Sequence, residues 1–363
     1  MSLNLPDFPW DALVPYAERA RAHPEGMIDL SVGSPVDPTP AIIVDALAAA
    51  GDAHAYPQVI GTPELREAIV DWFARRRGVD LGIANVMPTI GSKEFVAGLP
   101  IFLGLGAGDT VVHPAAAYPS YALGAAVVGA DAVAEDNPAL WPETTKLIWL
   151  NSPGNPDGRV LGVEELRAAV ARARELGAII ASDECYTELN WVEDKPTPSI
   201  LDPRVIDGSR HNILAVCSLS KQSNLAGYRA GFVAGCSQVI GEVVGVRKHL
   251  GLMSPAPIQA AMVAALADEK HVDVQRKVYR ARREVLRGAL ERSGYRIDHS
   301  EAGLYLWATT GEPAWDTVGR LADVGILATP GTFYGDDTHV RIALTASDEA
   351  IKTAVERLEE VSS

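Results

Sequence analysis

Cysteine is scarce in this chain: there are three, Cys185, Cys217 and Cys236, among 363 residues. They form no CxxC pair, so neither a thiolate zinc site nor a disulfide framework is expected, and they read as small apolar filler in a reducing compartment. Positive charge is in deficit. Lys and Arg number 32 against 47 Asp and Glu, a formal net charge of -15. That excludes duplex nucleic acid as a partner, because a phosphate backbone needs clustered basic side chains. An anionic ligand would have to be met by a local cluster of cations. Long apolar runs are missing too. The most apolar window, residues 95–106, is broken by Pro100 and several glycines and falls short of the ~18 residues that suggest a membrane span. The opening stretch MSLNLPDFPWDAL has no basic start or apolar run, so no secretory leader is expected and a cytoplasmic location is. The eight histidines show no HExxH-type spacing, and no metal site is expected.

What is present is ordinary for a globular protein: 47% hydrophobic and 22% charged residues. The length favours one large and one smaller domain. Short apolar, strand-like runs at 110–113, 132–134, 147–150, 178–182, 213–217 and 231–234 alternate with helical patterns. One such pattern, 163–176, sets Glu164, Glu165, Arg167 and Arg172 on an outer face. Near-continuous apolar strands with helices between them predict an α/β fold whose mostly parallel sheet is covered on both sides. This large domain is expected over residues 30–267. Beyond it lie a long charged helix at 270–292, strands near 304–307 and 340–344, a helix near 315–324, and a last helix capped by Ser347. They predict a smaller α+β domain from 268 to 363, onto which residues 1–29 pack. The stretch GLGAGD at 104–109 precedes a strand instead of following one, so it reads as a turn after a helix and not as a dinucleotide loop.

The chemistry centres on AVCSLSKQSNLAGYRAG, residues 215–231. An apolar run leads to Lys221, with Ser218 and Ser220 before it and Arg229 between Gly227 and Gly231 after it. A desolvated lysine amine condenses with an aldehyde. Hydroxyls and a guanidinium beside it suit a phosphate dianion. The stretch resembles the pyridoxal-phosphate attachment motif of class I, fold-type I aminotransferases: small-x-Ser-Lys, then Gly-x-Arg-x-Gly. The resemblance implies a seven-stranded type of sheet, pyridoxal 5'-phosphate as cofactor, Lys221 as its attachment lysine, and Arg229, Ser220 and Ser218 as phosphate ligands.

Other segments carry the same resemblance, which runs from about residue 29 to 344. In IIASDECYTEL, Asp183 matches the carboxylate that keeps the pyridine nitrogen protonated and Tyr186 the phenol on the ring oxygen; Glu184 has no assigned role. WLNSPGNPDG resembles the family's NPxNPTG loop, with Asn155 as the second ring-oxygen partner, although the first proline is displaced and Asp157 replaces the usual threonine. In TIGSKEFV, Gly91, Ser92 and Lys93 match the phosphate-binding turn at a helix start. Tyr118 of AAAYPSY matches the ring-stacking aromatic, and Tyr121 reads as packing. Tyr56 matches the tyrosine that reaches the neighbouring subunit's phosphate, which implies a homodimer with shared sites. Arg341 in VRIALT matches the substrate-carboxylate anchor, and Gly33 and Ser34 match backbone that closes over substrate.

Amino-acid and 2-oxo-acid substrates follow, with glutamate as the donor. GSKE, AYPQVIGTPELREAI and SDECYTELNW are most similar to actinobacterial N-succinyldiaminopimelate aminotransferases of lysine biosynthesis. A broad aspartate or aromatic aminotransferase and a pyridoxal-dependent C–S lyase are the alternatives. A non-catalytic pyridoxal-binding regulator would need a DNA-binding domain and a basic face, for which this chain has no spare length.

Overall fold

The computed structural model describes residue 5, residues 9–193 and residues 197–361. In chain order the strands are β1 (Ile28–Asp29), β2 (Val86–Ile90), β3 (Thr110–His113), β4 (Asp131–Ala134) and β5 (Thr145–Asn151). They continue with β6 (Ile179–Asp183), β7 (Ile213–Ser218), β8 (Ala230–Gly235) and β9 (Arg296–Asp298). The last are β10 (Tyr305–Thr309), β11 (Ile326–Leu327), β12 (Thr329–Pro330) and β13 (His339–Ala343).

Seven of them form one sheet in the order β2-β8-β7-β6-β5-β3-β4. Only β8 runs against the others, pairing antiparallel with both β2 and β7. The near-continuous apolar strands are buried on both faces because alternate residues enter different cores. Ile213, Ala215 and Cys217 belong to one apolar cluster, while Leu214 and Val216 belong to another. Helix Val163–Leu176 packs Leu166, Ala169, Val170 and Ala173 inward at helical spacing and leaves its charges outside. Gly162 N–H donates to Glu165 Oε2 at 2.7 Å and fixes the helix start.

A third apolar cluster gathers the N-terminal segment, the C-terminal part of the chain, and Cys185, Tyr186, Leu189 and Trp191. Here β12-β13-β10-β9 form an antiparallel sheet, and β1 pairs in parallel with β11. The N-terminal segment thus joins the C-terminal one through backbone hydrogen bonds. Ser347 caps the last helix as expected, accepting from Ala350 N–H at 3.2 Å.

Helix Lys270–Arg292 is more than a charged surface. One stripe of it is buried and polar: His271, Gln275, Tyr279 and Arg282. His271 Nε2 lies 2.8 Å from Ser223 Oγ, and Asn224 Nδ2 donates to Gln275 Oε1 at 2.8 Å. Gln275 and Arg282 both donate to Asp37, at 2.9 Å and at 2.7 and 2.8 Å. The helix therefore grips both the loop that follows Lys221 and the segment that follows Gly33. No helix among the described residues is long and apolar enough to cross a membrane.

Candidate active site

The direction of the strands explains why the chemistry collects on one edge of the sheet. Asn151 ends β5, Asp183 ends β6 and Ser218 ends β7. Ligand sites in open α/β sheets lie beyond these carboxyl ends. Ile90 ends β2 on the same edge, and it pairs with Ala230, the first residue of the reversed strand β8. That pairing brings Gly91 and Arg229, 138 positions apart in sequence, into contact. A Cβ built on Gly91 would lie 2.7 Å from the Arg229 guanidinium carbon, so only glycine leaves room there. Arg229 itself holds a left-handed backbone at φ 55°, an uncommon conformation for a residue with a side chain.

A cavity of about 470 Å³ sits beyond this edge. Of the residues named from sequence, Gly33, Ser34, Ser92, Lys93, Tyr118, Asn155, Asp183, Tyr186, Ser218, Ser220, Lys221, Arg229 and Arg341 line it. Gly91 adjoins it through Arg229. Tyr56 does not: it is 95% exposed and is not among the cavity residues.

The side chains are tightly arranged. The Lys221 amine donates to the Gly33 carbonyl. Burial pushes this amine below its ordinary value, and Arg341 and Arg229 push the same way. Ser218 Oγ donates to Ser220 Oγ at 2.9 Å. Asn151 organises the loop after β5, donating to the carbonyls of Pro153 and Asp183 at 3.0 Å each and accepting from Asn155 N–H at 2.8 Å. Asn155 Oδ1 in turn accepts from Arg341 Nη1 at 3.0 Å. Arg341 is buried, its guanidinium lying 4.0 Å from the Tyr305 ring centre and 4.9 Å from that of Tyr334.

Tyr121 corrects the sequence reading. Its ring does pack, stacked on Trp149 with centres 5.3 Å apart. Its hydroxyl, however, donates to Asp183 Oδ2 at 3.0 Å. Nothing local in the sequence said that Asp183 would stand opposite. Trp10 and Tyr305, both cavity residues, also went unassigned. Each comes from a segment far in sequence from the lysine motif.

The sequence pattern of the family described as "Aminotransferase class I and II" matches residues 25–358. The chain belongs to this family. A Streptomyces rimosus aminotransferase, 4-dedimethylamino-4-oxo-anhydrotetracycline transaminase OxyQ, is 54% identical over 98% of this chain and 99% of its own. A probable aminotransferase of Mycobacterium tuberculosis, Rv1178, is 52% identical over 99% of this chain and 86% of its own. The solved N-succinyldiaminopimelate aminotransferase of M. tuberculosis superposes with a TM-score of 0.87 at 25% identity, covering 98% of this chain and 97% of that one.

Class I aminotransferases use pyridoxal phosphate, and the cavity of this aminotransferase fits that group. Burial raises the Asp183 carboxyl above its ordinary value, against hydrogen bonds from Cys185 and Tyr121, and no cation is among the groups acting on it. A buried carboxylate of this kind is suited to a cationic ring nitrogen. The hydroxyls of Ser218 and Ser220, the start of helix Gly91–Phe102 and the Arg229 guanidinium offer donors to a phosphate.

Glu184, without a role in sequence, is buried on the strand end next to Asp183. It accepts from Ile200 N–H at 2.7 Å and from Ser199 Oγ at 3.1 Å. Burial pushes its carboxyl up to about 7, against the pull of these donors and of Arg77. A raised carboxylate binds extra protons in the folded state, so its stabilisation is full below pH ~4.5 and is lost as pH rises towards 7. Glu184→Gln keeps the acceptor oxygen and removes the titration. Thermal unfolding of the two proteins at pH 5 and pH 8 should show a pH dependence smaller by about 2 to 3 kcal/mol in the variant. Equal slopes would assign the titration to another group.

Proposed function

We propose that this aminotransferase exchanges amino groups between glutamate and the keto acid of the N-succinyl-diaminopimelate pair, as a homodimer with shared sites. The observation that carries the catalytic part is the convergence of Lys221, Asp183 and Arg341 on one cavity. Lys221 would hold the coenzyme, and its free amine would carry a proton to and from the substrate Cα. Its lowered basicity raises the share of free amine available for both tasks. Asp183, held by Tyr121, faces the ring nitrogen. Tyr186 and Asn155 would hold the ring oxygen, and Tyr118 would pack against the ring. Gly91, Ser92, Lys93, Ser218, Ser220 and Arg229 hold the phosphate. Arg341 forks onto the substrate α-carboxylate, while the backbone of Gly33 and Ser34 closes over it. The coenzyme supplies the electron-withdrawing ring that makes the Cα proton acidic. Tyr56, exposed in the single chain, reaches the phosphate of the neighbouring subunit. Residues 30–267 act as the coenzyme-binding domain, and residues 1–29 with 268–363 as the domain that closes over substrate.

The lysine-pathway substrate is supported by the similarity to the N-succinyldiaminopimelate enzyme. A second reading, amination of a ring ketone on an anhydrotetracycline-like polyketide, is favoured by the 54% identity to OxyQ. A single-turnover screen separates them. The coenzyme-loaded enzyme is mixed with each amino acid, and loss of its visible absorbance is followed. A strong response to N-succinyl-LL-diaminopimelate and glutamate, with little to aspartate or phenylalanine, is expected. Equal responses to all four would refute the lysine-pathway assignment. Amination of the ring ketone from glutamate would establish the second reading, and pyruvate release from cystathionine would reveal a lyase.

A further inference from the structure

Tyr305, on β10, belongs to no motif described above, yet it touches several parts of the site. Its hydroxyl lies 3.3 Å from that of Tyr186. Its ring carries the Arg341 guanidinium at 4.0 Å. Its phenol fills the space a side chain at position 33 would need: a Cβ on Gly33 would lie 2.8 Å from the phenol's Cζ and closer still to its oxygen. Gly33 also supplies the carbonyl that accepts from Lys221. The residue is buried, so these contacts are fixed by packing.

We propose that Tyr305 is a positioning residue that couples the coenzyme side of the cavity, through Tyr186, to the substrate side, through Arg341. This rests on the reading that Tyr186 faces the coenzyme's ring oxygen and Arg341 the substrate carboxylate. The two phenols sit in different surroundings. Burial pushes the Tyr305 phenol up, but Arg341 and Lys221 outweigh it and hold the group below its ordinary value. Burial and the neighbouring Tyr305 push the Tyr186 phenol well up. Either hydroxyl can donate across the 3.3 Å between them; in this coupling Tyr305 donates to the Tyr186 oxygen. A phenol that accepts such a bond becomes a better donor through its own hydrogen. Tyr186 is left with that hydrogen directed to the ring oxygen. Meanwhile the Tyr305 face, together with Tyr334, fixes the Arg341 guanidinium for a carboxylate.

Two substitutions separate the two tasks. Tyr305→Phe keeps the ring and removes only the hydroxyl. The visible absorbance of the coenzyme-loaded enzyme, titrated with pH, should move its midpoint upward by about half to one unit, because a weakened donor leaves the ring oxygen more basic. KM for both keto acids should stay within about threefold. Tyr305→Leu removes the face beneath Arg341 and should raise both KM values about tenfold or more. Tyr186→Phe serves as reference, with a shift at least as large as that of Tyr305→Phe. If Tyr186→Phe shifts the midpoint and Tyr305→Phe does not, the coupling proposal falls and the reading of Tyr186 stands. If neither shifts it, both fall. If Tyr305→Leu loads with coenzyme and keeps the wild-type KM values, the substrate-side half is overturned.

Discussion

Lys221→Ala is expected to lower the rate of transamination by about 10⁴-fold, the upper end of what one positioned proton-transfer group supplies, with loss of covalent attachment added. The expectation rests on where the amine sits. It is half-buried, it follows the last residue of β7 closely, and among the described residues its hydrogen bond is to the Gly33 carbonyl. No other lysine in the cavity can take over, because Lys93 enters from the start of helix Gly91–Phe102, on the far side of β8 from β7. Coenzyme should still bind through Ser218, Ser220 and Arg229, but without the visible band of the covalent link. Lys221→Arg should be as inactive, since a guanidinium keeps the charge and gives up no proton near neutral pH. Stopped assays for keto-acid product, with coenzyme content measured after dialysis, check both statements. A Lys221→Ala protein that transaminates at the wild-type rate would overturn the assignment.

Asp183→Asn should produce the second-largest loss, about 10³-fold in kcat/KM. That is the equivalent of the roughly 4 kcal/mol commonly lost when one member of a buried ion pair is removed. The substitution is close in shape: one oxygen still accepts from the Cys185 N–H, and the amide NH2 in place of Oδ2 can donate to the Tyr121 hydroxyl once that hydroxyl turns to accept. What it removes is charge. The same substitution should have the opposite effect on the coenzyme-free protein. A carboxyl whose folded value is raised by burial costs stability as pH rises through that value. Coenzyme-free Asp183→Asn should therefore unfold at a temperature no lower than wild type at pH 8, while the loaded variant is nearly inactive. An active variant, or a coenzyme-free variant that unfolds well below wild type, would show that Asp183 serves the fold and not the ring nitrogen.

Much of the candidate site's lining was legible because it is written in short, contiguous stretches. Lys221, Ser218, Ser220 and Arg229 fall within one run of residues, and Asp183 and Tyr186 within another. The strands that precede them announce themselves by unbroken apolar character, and the expected strand at 213–217 lies within β7, Ile213–Ser218. Helices Val163–Leu176 and Lys270–Arg292 were legible from their spacing. Tyr121, Tyr305 and Trp10 were not, since aromatic residues at these positions look like any other core residue. The polar stripe of helix Lys270–Arg292 was hidden for a related reason. His271, Gln275 and Arg282 are indistinguishable in sequence from a solvated face until Ser223, Asn224 and Asp37 are set against them.

The sequence alone determined the fold class, the buried strands and the lysine motif with its aspartate partner. Each depends on residues within a few positions of one another, where backbone period and side-chain type already decide burial and turn. Tertiary structure alone decided that Tyr121 holds Asp183, that Gly91 makes way for Arg229, and that Tyr305 joins Tyr186 to Arg341. Those contacts depend on strand order and on the reversal of β8, which bring distant segments to one edge of the sheet, and no local pattern encodes them.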